Sequence, residues 1–76
     1  MKEFLEFITQ HLVDRPDLIR IDEKEQEGRV ILRLEVGEEE RGKVIGKHGR
    51  TAQALRTLLS AVAARSGRRA VLEIVQ

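Results

Sequence analysis

Cysteine is absent from the 76 residues, which removes disulfide bridges, thiolate zinc sites and cysteine nucleophiles from consideration. Tryptophan and tyrosine are absent too, and the two phenylalanines, Phe4 and Phe7, lie together near the start. The two histidines, His11 and His48, are far apart and fit no HxxxH or HxxE spacing, so no structural metal site is expected. No apolar run approaches the roughly 18 residues of a membrane span, and the chain begins with charged residues; neither a signal peptide nor a membrane segment is expected, and a cytoplasmic location is the default. Catalytic signatures are missing as well. GxGxxG does not occur, and Gly42 to Lys47 falls one residue short of a phosphate-binding P-loop and is followed by His48 where a magnesium-ligating Ser or Thr is needed. No pair of titratable groups has a spacing that suggests acid-base catalysis, and so short a chain leaves little room for a substrate pocket. The reading is a chain that is not an enzyme and needs no cofactor or small-molecule substrate.

What is present is a single domain, residues 1–76, with a core small but sufficient without staples. The formal net charge of +1 conceals a strong asymmetry. Residues 1–40 hold 12 acidic and 6 basic side chains, whereas residues 41–76 hold 8 basic side chains against the lone Glu73. The basic half suggests a polyanionic partner; two halves that complement each other on one solvated surface would give the same count.

Residues 2–14 place Phe4, Leu5, Ile8 and Leu12 at three- and four-residue spacing, with Phe7 and Val13 beside them, which predicts an amphipathic helix stopped by Pro16. Both phenylalanines are expected in the core, with His11 at its edge. Leu18 to Glu23 alternates around Ile19 and Ile21, and Val30, Leu32, Leu34 and Val36 share one face of Arg29 to Val36, so two strands with a polar turn over Lys24 to Gly28 form a hairpin. Glu38-Glu39-Glu40 place negative charge at the positive end of a short helix reaching Ile45. Thr51 to Ser66, rich in Ala and Leu, reads as a long helix capped by Gly67, and Ala70 to Val75 as a last strand with Ala70, Leu72 and Ile74 on one side. The order is α-β-β-α-α-β. Two consecutive helices act as one crossover, so the last two strands should be parallel, in an α+β fold with a three-stranded mixed sheet and its helices on one face.

Between the short and long helices lies Val44-Ile45-Gly46-Lys47-His48-Gly49-Arg50-Thr51, a GxxG turn with a basic filling. Its glycines remove the Cβ atoms that would hold a ligand backbone away, amides at the next helix start suit an anion, and Lys47, His48 and Arg50 add side-chain donors. A bare GxxG can also be only a helix-turn-helix corner. The long helix carries a second signal: its apolar residues spread over roughly 200° at about 100° per residue, more than one sheet requires. Ala54, Leu58 and Ala61 form one margin of that arc, open either to the first helix or to a partner.

The stretch Gly42-Lys43-Val44-Ile45-Gly46-Lys47-His48-Gly49-Arg50-Thr51, followed by Ala54-Leu55-Arg56-Thr57-Leu58-Leu59, resembles a KH domain of the bacterial, type II arrangement. The likeness includes Leu12-Val13-Asp14 before Pro16 and Leu72-Glu73-Ile74 at the end, and is similar nearly end to end to the stand-alone KhpA (YlqC) family. The resemblance implies a groove that clamps about four unpaired nucleotides, with the GxxG turn as one wall and the sheet edge as the other. Gly46 and Gly49 would admit the strand, amides from Lys47 to Arg50 would meet phosphates, Lys47, Arg50 and Lys43 would form a basic rim, and Val44 and Ile45 an apolar floor, or else ordinary core. The partner would be single-stranded RNA, with single-stranded DNA not distinguished. The family also implies homodimers, a larger KhpB (Jag or EloR) partner, RNA chaperoning, and a link to cell shape, elongation and cell wall biogenesis. Without Trp or Tyr, base stacking worth about 1 to 3 kcal/mol per base is not available, so one copy should bind weakly, salt-sensitively and with little sequence preference. The alternative is a dimerisation or adaptor module working through Ala54, Leu58 and Ala61, with little RNA binding of its own. His48, inside the turn, suggests pH-dependent binding.

Overall fold

A computed structural model describes residues 1–75. The elements are α1 (Lys2–Thr9), β1 (Arg20–Gln26), β2 (Arg29–Glu35), α2 (Arg41–Ile45), α3 (Arg50–Ala64) and β3 (Arg69–Ile74), with single 3₁₀ turns at Pro16–Leu18, Glu38–Glu40 and Lys47–Gly49. The strands lie in the order β1-β2-β3; β1 is antiparallel to β2, and β3, reached through the α2–α3 crossover, is parallel to it. This is the α+β, three-stranded mixed sheet that the α-β-β-α-α-β order dictates.

Alternation in β2 decides which face is covered. Val30, Leu32 and Leu34 are wholly buried beneath Leu5 of α1, Val44 of α2, and Leu55 and Leu59 of α3, with Ile21 and Leu72 contributed by the flanking strands. The residues of opposite parity face away from the helices, where Asp22, Arg33 and Glu73 stand in one cross-strand row and Arg20 beside Glu35 in another. Opposite charges placed side by side suit a face that remains in water.

Three expectations need correction. The first helix ends at Thr9 instead of reaching Asp14, although tighter turns (His11 amide to Ile8 carbonyl, Leu12 amide to Thr9 carbonyl) carry the coil on to Leu12. The cause lies far away in sequence. Glu40, only 6% exposed, accepts hydrogen bonds from the amides of Asp14 and Arg15, the latter at 2.9 Å, and so draws the backbone out of the helix before Pro16. Second, Phe7 is not in the core: it is 60% exposed, on the side of α1 opposite Leu5, and its ring meets that of His11 at 4.8 Å. Third, β1 continues through the polar residues Lys24 to Gln26, because on an edge strand backbone pairing with β2 requires no apolar side chains.

The hairpin turn is therefore only Glu27-Gly28, with φ of 51° and 78°. Positive φ at both positions matches the twist of the strands, but Glu at the first is an unfavourable choice there. Glu27→Asn should raise the unfolding free energy by about 0.5 to 1 kcal/mol, readable as a higher Tm. At the far end of α3, Gly67 is the expected cap: the Arg68 amide donates to the Ala63 carbonyl and the Gly67 amide to the Ala64 carbonyl, both at 3.0 Å.

Candidate nucleic-acid interface

The turn between α2 and α3 is built by two glycines with different jobs. Gly46 has φ 78° and ψ 167°, a region essentially reserved for glycine, and a Cβ there would lie 2.7 Å from Thr51 Cβ and 2.8 Å from the Thr51 nitrogen. It is required so that α2 can stop and the chain fold back onto the first turn of α3. Gly49, with φ 73° and ψ 14°, would direct a Cβ into open space. Here the missing side chain leaves room above the backbone for something else.

Between them Lys47 is helical and His48 left-handed, at φ 58° and ψ 24°, a succession that turns neighbouring amides toward a common point and suits an anion. Not all four amides of the turn are available. Those of Gly49 and Arg50 donate to the carbonyls of Gly46 and Lys47, whereas those of Lys47 and His48 have no acceptor among the described residues. The free donors are thus narrower than the Lys47–Arg50 run expected from sequence. No side-chain cap closes the start of α3, so its positive end stays open beside them.

The side chains sort in the same way. Lys47, His48 and Arg50 are exposed, and among the described residues no carboxylate pairs with them. Lys43 differs: its ammonium lies 2.6 Å from Asp14 and 3.5 Å from Glu40. The hydrogen bond to Asp14 above all holds its pKa above the ordinary lysine value; desolvation opposes it, and the charges of Asp14 and Glu40 add to it. Its charge is already compensated, so it adds little to a rim. Val44 is fully buried in the core and Ile45 half-buried, so of the two residues expected under the bases only Ile45 reaches the surface. On α3, Ala54 and Ala61 are exposed and Leu58 is 46% exposed. The first helix packs on β1 and leaves this margin of α3 uncovered.

Sequence reasoning missed Glu40, which links the start of α2 to the segment before β1. A Glu in a run of three reads as solvated surface, and nothing local marks it as the one whose carboxylate turns inward.

The family profile described as KhpA/KhpB, KH domain, matches residues 2–74. The chain belongs to this KH-domain family. A relative from Treponema pallidum is 51% identical over 74 residues, 97% of this chain and 92% of its own length. One from Chlamydia pneumoniae is 49% identical over 76 residues, all of this chain and 97% of its own. Another, from Aquifex aeolicus, is 46% identical over 76 residues, all of this chain and 96% of its own. All three are named RNA-binding protein KhpA. No solved structure matches the chain at comparable stringency. The relatives of this KH domain are thus named as binding proteins, in keeping with the expectation that it is not an enzyme. Among the described residues no helix is long and apolar enough to cross a membrane.

Proposed function

We propose that this KH domain holds a short single-stranded segment of RNA in the cytoplasm, with the Gly46–Gly49 turn gripping its backbone. The observation that carries the reading is the coincidence, on one surface, of the Lys47 and His48 amides, open space over Gly49, and the exposed side chains of Lys47, His48 and Arg50, with no acceptor for those amides and no carboxylate paired with those side chains among the described residues. A phosphate seated there gains charge-assisted hydrogen bonds, and Ile45 offers a small apolar contact to a base. The names of the relatives support the choice of RNA.

With so few contacts and no aromatic platform, one copy binds weakly, and a second copy or a KhpB/Jag-type partner supplies affinity by avidity. Loose, short-lived contact suits an RNA chaperone or post-transcriptional regulator, with the effects on cell shape, elongation and wall biogenesis that the family resemblance implies. Fluorescence anisotropy of a labelled single-stranded RNA tests the reading. The wild type should bind, weaken with salt, and lose binding by at least tenfold in Lys47→Asp/His48→Asp, while circular dichroism shows the variant folded. A folded double variant that binds as well as the wild type contradicts it. An unlabelled DNA of the same sequence, added as competitor, measures the preference for RNA.

Binding should be tighter at pH 6 than at pH 8, since a protonated His48 attracts phosphate, and His48→Gln should remove the difference. The exposed row Ala54, Leu58 and Ala61 supports a second reading, assembly through α3. If assembly is the main role, Leu58→Asp abolishes function and changes at Lys47 and His48 do not.

A further inference from the structure

At the other end of α3 lies a second concentration of positive charge. Arg68 precedes β3 and Arg69 opens it, and the Arg69 amide donates to the carbonyl of Gly28 in the hairpin turn. That link brings Arg29, the first residue of β2, directly opposite Arg69 in the parallel register. The three arginines line an open groove of about 440 Å³ together with Ser60 and Ala64 from the last turns of α3.

Several features of the groove ask for an anion. Arg29 and Arg69 are like charges on neighbouring strands, an arrangement that costs stability unless a negative group lies between them. Among the described residues no carboxylate pairs with either. On the adjoining β1, the residue opposite Arg29 is the neutral Gln26. Arg68 is held in place by Glu25, its Nη1 lying 2.9 Å from Oε1, while its Nε is buried and has no hydrogen-bond partner among the described residues. The carbonyls of Ala63 and Ala64, which would otherwise turn the negative end of α3 toward the groove, already accept from the amides of Arg68 and Gly67. Ser60 adds a hydroxyl.

We propose that Arg29 and Arg69, beside the Glu25-paired Arg68, form a second phosphate-binding site, which holds the backbone of the RNA strand beyond the segment gripped by the GxxG turn. The proposal rests on the RNA-binding reading above. From the start of α3 to its end is about 21 Å at 1.5 Å per residue, so a strand joining the two sites needs about six nucleotides at the 3.4 Å spacing of stacked bases, and fewer where it is extended. The groove is open to solvent, which suits a continuous diester chain better than an enclosed small anion. The second site thereby gives longer strands an affinity that the turn alone does not.

The test is anisotropy with labelled oligouridylates of about 3 and about 15 nucleotides, on the wild type, Arg29→Gln/Arg69→Gln and Lys47→Asp/His48→Asp. The arginine variant keeps Arg68 and its contact with Glu25 and removes a repulsion, so its Tm should equal or exceed that of the wild type. It should bind the short strand as the wild type does and the long strand about tenfold more weakly. Its plot of log affinity against log salt for the long strand should be shallower by about 1.4, the value for two phosphate contacts on a single strand. Equal affinity at both lengths, or equal weakening at both, overturns the second site. The GxxG reading fails separately, if Lys47→Asp/His48→Asp binds the short strand like the wild type.

Discussion

Gly46→Ala should cost about 3 to 4 kcal/mol of stability, a large share of the total for a domain this small. Two effects add. The backbone at φ 78°, ψ 167° is one that an L-residue adopts only at a penalty of about 1 to 3 kcal/mol. The new methyl also runs into Thr51, and because the 2.8 Å contact is with the backbone nitrogen, a rotamer change at Thr51 does not relieve it. The first turn of α3 has to shift, and with it the amides of Lys47 and His48. Chemical denaturation should show the loss in the midpoint, and at temperatures where the variant stays folded its RNA affinity should fall as well. Gly49→Ala is the informative contrast. Its Cβ has no neighbour within 4 Å among the described residues and left-handed backbone costs an alanine about 1 to 2 kcal/mol, so the domain should remain folded while the methyl intrudes on the space proposed for the RNA.

Glu40→Ala should destabilise the domain by about 2 to 3 kcal/mol, although Glu40 touches no part of the GxxG turn. Its buried carboxylate accepts from the Asp14 and Arg15 amides and lies 3.5 Å from the Lys43 ammonium. Removing it leaves two donors to find water at a partly buried seam, while the Lys43 ammonium keeps Asp14. Glu40→Gln should recover only part of the loss, because one of its two terminal atoms becomes a donor facing another donor. Urea unfolding of the three proteins measures this directly; a Gln variant as stable as wild type would mean that one acceptor suffices. Hydrogen exchange should locate the damage at Leu12 to Arg15, where the chain leaves α1, ahead of any change in the sheet.

The contrast between these two residues shows what could be read from the chain. The GxxG turn, the capping Gly67, the alternating Val30, Leu32 and Leu34, and the crossover that makes β3 parallel are local signals, and each appears where periodicity or a glycine places it. Glu40 acts across 25 and 26 residues of sequence, so neither its burial nor the early end of α1 could be seen in either segment alone. Phe7 failed for a different reason. A helix of eight residues that packs along one side has room for Leu5 and Thr9 in the core but not for a residue two positions round from Leu5. Within the site, residue types were legible and their availability was not. Lys43 and Lys47 look alike in sequence, yet one is paired with Asp14 and the other stands free among the described residues. Val44 and Ile45 are equally apolar, and only the rotation of α2 decides that Val44 enters the core and Ile45 reaches the surface. The same holds for the amides, since the tight turn uses two of the four for its own hydrogen bonds.

The most direct test of the account is to follow backbone amide resonances of the ¹⁵N-labelled domain while a short single-stranded RNA is added. The largest shifts should fall on Lys47 and His48, with Ile45 and Gly49 following, little change at Val44, and none along Ala54, Leu58 and Ala61 beyond what dilution produces. Shifts centred on that exposed row of α3, with the amides of Lys47 and His48 unmoved at saturating RNA, would contradict it.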